Sequence, residues 1–170
     1  VDAVDGTDAE AAAKAIANAD VMATAVGANI LPRIAGNIAS GLKLRFSRGG
    51  KPLNIVICEN LIDANKALEG LIRAHLSERE QAWMERNVGF VEASIGRMVP
   101  VQTPEMQDGD PLRVCVERYG YLPVDRDAFR GEPPEIRNMV PFSPFDYYIR
   151  RKLYMHNMGH AVTAYLGLYA

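Results

Sequence analysis

The fold is decided by residues 21–58, VMATAVGANILPRIAGNIASGLKLRFSRGGKPLNIVIC. Short apolar runs open and close this stretch, at residues 21–26 and 53–58, and their first residues are 32 positions apart. Short, partly β-branched runs are typical of strands covered on both faces. The separation is typical of a strand, a crossover helix and a second parallel strand. The pattern predicts half of a doubly wound parallel sheet.

An amphipathic helix is predicted between the two runs. Apolar residues recur every four positions from Ile30 to Phe46, and Pro32 falls in the first turn, where its missing N–H donor is harmless. Asn29 is expected to cap this helix, and the glycines at residues 49–50 are expected to end it. The stretch therefore forms one strand–helix–strand unit.

The flanking sequence adds helices first and β-rich segments later. Helices are predicted at residues 8–19, 62–76 and 77–86, the last from the capping-box spacing of Ser77 and Glu80. A small antiparallel or mixed extension is predicted from β-rich stretches separated by Gly, Pro and Asp, at residues 88–91, 95–101, 112–117 and 121–125. Residues 130–141 are predicted as a Pro-rich loop. Ser143 is predicted as the N-cap of a long helix that runs towards Tyr169.

Composition excludes several classes of protein. The 170 residues are 48% hydrophobic and 24% charged, unlike disordered, collagen-like or coiled-coil chains. A net charge of −2 provides no global basic field for nucleic acid or an anionic membrane, and no apolar run approaches the roughly 18 residues that span a bilayer. Cys58 and Cys115 are predicted as buried thiols of a reducing compartment. We expect a cytoplasmic protein that acts on a small molecule, without nucleic-acid or membrane partners.

The predicted C-terminal helix carries Lys152, Asn157 and His160. In an α-helix Asn157 lies about 140° and His160 about 80° from Lys152, so all three share one side. A lysine beside Arg150 and Arg151, if it is also desolvated, has its charged form disfavoured and is able to act as a general base.

Two other interpretations of the same helix stay open. Arg150, Arg151 and Lys152 also fit a solvated turn, with His160 as a hydrogen-bonded core residue. Zinc ligation by His156 and His160, which are four residues apart, is the other interpretation, although the glutamate of a zinc-protease motif is absent.

The string KLYMHNMGH, residues 152–160, has a lysine, four residues, an asparagine, two residues and a histidine. Four further stretches accompany it in collinear order, namely TAVGANILP at 24–32, LNIVICEN at 53–60, NVGF at 87–90 and GHAVTAYLG at 159–167. Together they resemble the polyol-specific long-chain dehydrogenases over most of the chain. The resemblance implies an α/β fold: the second half of a Rossmann-type parallel sheet with a small β extension over residues 1–142, and the first long helix of an α-helical substrate domain over residues 143–170.

The resemblance also implies an NAD-dependent oxidoreductase that interconverts a polyol, or a polyol phosphate such as mannitol 1-phosphate, with its ketose. Lys152 would remove the proton from the alcohol, Asn157 and Asn60 would hydrogen-bond the developing alkoxide, and His160 would orient a substrate hydroxyl. Fixed donors stabilise such a charge most in a dry site. No metal is needed if the lysine is the base. A hexuronate reductase, an unphosphorylated mannitol dehydrogenase and a non-catalytic degenerate paralogue remain alternatives, and no oligomeric state is indicated.

Cofactor contacts are expected at Val26, Gly27 and Asn60, because ligands of open parallel sheets gather at the carboxyl ends of the strands. Asn60 also fits a turn former or a helix cap, and Gly27 also fits a tight turn without a ligand. No Gly-x-Gly-x-x-Gly occurs in the sequence, so we expect an internal piece without the phosphate-binding half.

The sequence departs from the family pattern at two places. Gly96 stands where such dehydrogenases usually have an aspartate before the arginine, here Arg97, so a candidate proton-relay acid is missing. Leu122 and Pro123 replace the usual tryptophan and aliphatic residue, so the β extension is expected to differ in shape.

Overall fold

The computed structural model describes residues 2–169 as an α/β structure with two parallel sheets. The larger sheet has three parallel strands in the order β1 (Val21–Thr24), β2 (Leu53–Ile57) and β3 (Val88–Glu92). In the smaller sheet, β4 (Leu122–Asp125) pairs in parallel with β5 (Met139–Phe142). The predicted strand–helix–strand unit, and with it the parallel sheet, is confirmed.

The predicted helices occur in the predicted order, but the structure adds a short helix at Pro104–Gln107 and interrupts the predicted C-terminal helix with a π-helical segment. The helices are α1 (Ala9–Asn18), α2 (Leu31–Ser47), α3 (Ala64–Arg73), α4 (Glu78–Asn87), α5 (Pro104–Gln107), α6 (Asp146–Arg151) and α7 (Met158–Tyr169), with a π-helical segment, Lys152–Asn157, between the last two. The capping box of α4 is present, because Ser77 and Glu80 exchange side-chain and backbone hydrogen bonds. None of these helices within residues 2–169 is both long and apolar enough to cross a bilayer.

The central strand β2 is buried along its whole length. Leu53, Ile55 and Ile57 pack in the main core with apolar side chains of α2 and α3. Val56 belongs to a second cluster with Val124 of β4, so the small sheet covers the opposite face. Burial of each such side chain stabilises the fold by about 1.5–3 kcal/mol.

Asn54 ties the segment after β4 to the central strand. Its side-chain amide donates to the Arg130 carbonyl (3.2 Å), and its Oδ1 accepts from the Arg130 N–H (2.8 Å). Gly89 of β3 faces this pair, where a Cβ atom would collide with Asn54 Oδ1 and the Ala128 carbonyl. A glycine is therefore required at this close approach of the backbone.

Two of the three predicted N-cap residues, Asn29 and Ser143, are wrong. Asn29 lies inside a 3₁₀ turn, Ala28–Ile30, and α2 begins after it without a side-chain cap. Ser143 donates its hydroxyl to Asp127 instead, and α6 begins only at Asp146. At Asn29 a local 3₁₀ turn precedes the helix, and at Ser143 a tertiary hydrogen bond to Asp127 uses the side chain that was predicted to cap the helix.

The predicted β extension is corrected in three respects. Residues 88–91 belong to β3 of the main sheet, because α4 serves as the crossover that returns the chain to the sheet edge. Residues 95–101 and 112–117 form no strand, and the predicted loop at 130–141 runs into β5. The two strands of the small sheet are parallel, and antiparallel pairing is limited to the bridge between Ala93 and Val124 in the part of the chain described.

Two burial predictions also need correction. Strand β1 is not covered on both faces within residues 2–169, because Ala23 is exposed and Val21 and Met22 are only partly buried. Cys58 and Cys115 are free thiols that are partly rather than fully buried. Burial, and to a smaller extent the Glu59 charge, raises the pKa of the Cys58 thiol.

Candidate active site

The candidate site lies where the three strands of the main sheet end. Parallel strands present their carboxyl ends at one edge, so the loops after β1, β2 and β3 meet there. The helical segment formed by α6 and the π-helical turn contributes to the same region, because Ile149, Lys152 and Leu153 line a cavity together with residues of these loops. Strand ends and a C-terminal helix, distant in sequence, thus form one site.

Lys152 is the residue that joins the helix to the sheet. Its Nζ donates a hydrogen bond to Asn60 Oδ1 at 3.2 Å, although the two residues are 92 positions apart. Burial lowers the pKa of Lys152, because the ammonium loses water that would stabilise its charge. The solvated turn that the sequence left open therefore does not describe this partly buried lysine.

A cavity of about 350 Å³ surrounds this contact. Its walls combine apolar and polar side chains from the strand ends and the helix, namely Ile57, Glu59, Asn60, Leu61, Ile62, Ala64, Glu92, Ala93, Ile149, Lys152, Leu153 and Asn157. The volume lies in the range of small-molecule sites, roughly 300–1,000 Å³. The amine of Lys152 and the side-chain amides of Asn60 and Asn157 are thus available to one small ligand.

The π-helical turn explains why Lys152 and Asn157 share this cavity. The N–H of Met158 donates to the Leu153 carbonyl five residues earlier, which widens the turn. Residues five apart then lie closer to one face than the roughly 140° of an α-helix would place them. The sequence pattern predicted a continuous α-helix here, whereas the structure has this wider turn.

A second cavity of about 500 Å³ meets the first one at Lys152, which lines both. Its other lining residues are Ser94, Gly96, Glu117, Tyr119, Arg151, Met155 and His156. Gly96, the departure noted in the sequence, leaves room here for the Tyr119 ring, which would lie 3.2 Å from a Cβ atom at this position.

Sequence reasoning missed Glu59, the residue before Asn60. Glu59 is only 7% exposed, and its carboxylate accepts hydrogen bonds from the backbone N–H groups of Val26 (3.0 Å) and Gly27 (2.9 Å). Gly27 has φ 91°, which favours glycine. Because Glu59 occupies both N–H groups, any cofactor contact at this turn has to use other atoms. The available signal was an acidic residue directly after a buried strand.

Glu92, at the end of β3, is a second acid in the wall of the first cavity. Burial raises the pKa of Glu92, and the nearby carboxylates of Asp63 and Asp125 add to the effect. An amine whose pKa is lowered and an acid whose pKa is raised thus line one cavity. Such perturbed groups are characteristic of functional sites.

The structure does not bring every predicted residue to the cavities. His160 is exposed and stacks edge-on against His156, with ring centroids 4.7 Å apart, and it lines neither cavity. Val26 and Gly27 lie at the end of β1 and contact Glu59 instead of the cavity. Lys152, Asn60 and Asn157 therefore form the assembled part of the predicted site.

Metal ligation by His156 and His160 would need a further ligand, and none gathers beside them in the part of the chain that the structure describes. Across residues 2–169 no three or more His, Cys, Asp or Glu side chains gather in a metal-binding arrangement. Two imidazoles alone do not provide the three protein ligands that catalytic zinc sites use. These residues therefore do not fit the zinc alternative.

The chain is similar in sequence to known polyol dehydrogenases. The model of the mannitol dehydrogenase Rossmann domain matches residues 1–138. Mannitol-1-phosphate 5-dehydrogenase of Brevibacillus brevis is 43% identical over 167 residues, which are 98% of this chain and 42% of that protein. The chain thus spans less than half the length of this curated relative.

Two solved structures share the fold. A substrate-free D-sorbitol dehydrogenase superposes with a TM-score of 0.75 at 19% identity, over 91% of this chain and 40% of its own. The ternary complex of Pseudomonas fluorescens mannitol 2-dehydrogenase with NAD and D-mannitol gives a TM-score of 0.69 at 17% identity, over 86% of this chain and 38% of its own. At these identities the likeness concerns the fold alone.

Proposed function

This chain belongs to the mannitol dehydrogenase family, and we propose that the full-length protein interconverts mannitol 1-phosphate with its ketose phosphate by lysine-assisted hydride transfer. The observation that carries the proposal is the 3.2 Å contact between Lys152 Nζ and Asn60 Oδ1 in a cavity at the carboxyl edge of the sheet. The 43% identity to a mannitol-1-phosphate 5-dehydrogenase supports the choice of substrate.

Lys152 is the general base of the proposed reaction. Its neutral amine takes the proton of the secondary alcohol, while the hydrogen on the same carbon departs with its electron pair as hydride. NAD, when bound, supplies the acceptor of that hydride. Burial favours the neutral form of Lys152, which a base requires at the start of oxidation.

Asn60 and Asn157 stabilise the charge that develops on the substrate oxygen. The Oδ1 atom of Asn60 accepts the hydrogen bond from Lys152, so its amide nitrogen is left to donate to the substrate. Asn157 lines the same cavity and adds a second amide donor. Fixed donors in a partly dry cavity stabilise an alkoxide without reorganising during the reaction.

The residues present fit the nicotinamide end of NAD. The cavity combines apolar walls with the amide of Asn60. Within residues 2–169, no heavy atom beyond Gly27 and its two chain neighbours lies within 4 Å of a Cβ position at Gly27, so a ring or ribose is able to approach that backbone. The sequence contains no Gly-x-Gly-x-x-Gly, so the phosphates are expected to bind elsewhere in the full-length protein. We also propose that residues 143–170 begin a helical substrate domain.

A substrate screen tests the proposed reaction. The full-length protein is incubated with NAD and, in parallel, with mannitol 1-phosphate, mannitol, sorbitol 6-phosphate and hexuronates in their reduced forms, and NADH formation is followed by absorbance. We expect the highest kcat/KM with mannitol 1-phosphate. Unphosphorylated mannitol is the second candidate, because a mannitol 2-dehydrogenase shares the fold. No turnover of any of these alcohols would support the degenerate paralogue instead.

His160→Ala tests the proposed contact of His160 with a substrate hydroxyl, although His160 lines neither cavity in residues 2–169. We expect kcat/KM for the polyol to fall about tenfold, as for loss of one charge-assisted or strong substrate hydrogen bond. The Kd for NADH, measured by fluorescence titration, should change less than twofold. A larger loss of NADH affinity than of kcat/KM would contradict the assignment of His160 to the substrate.

A further inference from the structure

The second cavity carries a basic wall next to the proposed base. Arg151, Lys152 and His156 lie along its helical side, and Glu117 is the one acid among its lining residues. The Glu117 carboxylate accepts a hydrogen bond from the Met98 N–H at 2.6 Å, which uses part of its hydrogen-bonding capacity. Arg151 and Glu117 are thus the basic and acidic side chains that accompany Lys152 and His156 in this wall.

Arg151 is positioned to bind an anion. Its guanidinium lies over the Tyr148 ring, with Cζ 5.0 Å from the ring centroid. Stacking fixes the plane of a guanidinium and leaves the N–H donors at its rim free for a planar or tetrahedral anion. The neighbouring Arg150 is engaged differently, because its Nε binds the Asp146 carboxylate at 2.8 Å.

The two cavities meet at the amine that would remove the proton. A substrate oxidised beside Lys152 in the first cavity is therefore able to extend its far end into the second cavity. A polyol oxidised at C5 has the substituent on its C1 four carbon–carbon bonds away. A long, flexible substrate of this class matches two adjoining cavities better than a single one.

We propose that the second cavity binds the anionic end group of the substrate, through Arg151 with His156 as a neighbouring donor. This inference rests on the proposed function. It assigns a binding site to the substrate phosphate, the group that distinguishes phosphorylated from unphosphorylated polyols. A phosphate and a carboxylate share the required chemistry, since both accept paired N–H donors from a guanidinium. Ser94 and Tyr119 supply hydroxyl groups for the polyol chain between the two ends.

The test measures discrimination between anionic and neutral substrates in the full-length protein. The quantity is the ratio of kcat/KM for mannitol 1-phosphate to kcat/KM for mannitol. In the carboxylate arm, the reduced form of a hexuronate, which carries the secondary alcohol to be oxidised, is compared with the uncharged polyol. Arg151→Gln should lower this ratio at least about tenfold for the anion, phosphate or carboxylate, that the natural substrate carries. Arg151→Lys keeps the charge without the paired donors and should lower it less.

Arg150→Gln is the matched control, because the two arginines are adjacent and Arg150 lies outside both cavity walls. An unchanged ratio in Arg151→Gln, or an equal fall in Arg150→Gln, would overturn the proposal. Calorimetric binding of mannitol 1-phosphate to the same variants distinguishes a failure of the anion site from a failure of the proposed reaction. Weaker binding in Arg151→Gln supports the anion site even if turnover is absent, whereas an absence of turnover alone counts against the proposed reaction.

Discussion

Lys152→Ala in the full-length protein is expected to lower kcat for mannitol 1-phosphate oxidation by at least about 100-fold, the low end for loss of a positioned acid–base group. This factor corresponds to about 2.7 kcal/mol of transition-state stabilisation. Without the amine, the alcohol proton has to pass to water while the alkoxide forms. The measurement is steady-state absorbance of NADH at saturating substrate.

Controls separate this chemical effect from a loss of structure. Lys152 is only partly buried, and within the described residues its side chain makes one hydrogen bond, to Asn60. The Kd for NADH and the thermal midpoint of Lys152→Ala should therefore stay near those of the wild-type protein. Lys43→Ala, an exposed lysine of α2, is the matched substitution and should keep normal turnover. A fall in kcat common to both variants would count against Lys152 as the base.

Arg45→Met is expected to reduce the free energy of unfolding by about 3 kcal/mol, because removing one buried donor leaves its carbonyl acceptors unsatisfied at a cost of roughly 1–3 kcal/mol for such a group. The Arg45 side chain is 5% exposed and donates to four backbone carbonyls, those of Ala17 (2.9 Å), Ala19 (2.7 Å), Lys51 (2.6 Å) and Pro52 (3.1 Å). Methionine fills a similar space but offers these carbonyls no donor.

Arg45 joins the end of α1 and the approach to β2 to helix α2, so its loss should loosen the sheet that presents the site. Chemical denaturation of the full-length protein, followed by circular dichroism, measures the change. Arg33→Met alters an exposed arginine of the same helix and should leave the midpoint within experimental error. Equal midpoints for Arg45→Met and the wild type would contradict the role of these four bonds.

The sequence predicted the parts of the fold that depend on local periodicity. The apolar runs that became β1 and β2, the four-residue repeat of α2 and the Ser77–Glu80 capping box all rest on neighbouring residues. β3 was assigned to the wrong sheet because a run of four apolar residues carries no information about which strand it joins. The partner of β4 was also missed. β5 is only four residues long and contains Pro141, so the segment was predicted as part of a Pro-rich loop.

The candidate site was predicted in part. The resemblance pointed to Lys152, Asn157 and Asn60, and the structure brings these three to one cavity. Glu59 was missed because its partners, the N–H groups of Val26 and Gly27, lie more than 30 positions away in sequence. The π-helical turn was missed because it inserts no unusual residue, and it alters which side chains face the cavity.

The pH dependence of kcat/KM, measured in both directions of the reaction, tests the central claim most directly. Because burial lowers the pKa of Lys152 from its ordinary value of 10.5, oxidation of the polyol should rise with pH through a single ionisation below that value. Reduction of the ketose should fall across the same range, since it needs the protonated amine. Lys152→Met should abolish this shared ionisation. Near-normal turnover of Lys152→Met with an unchanged pH profile would contradict the account.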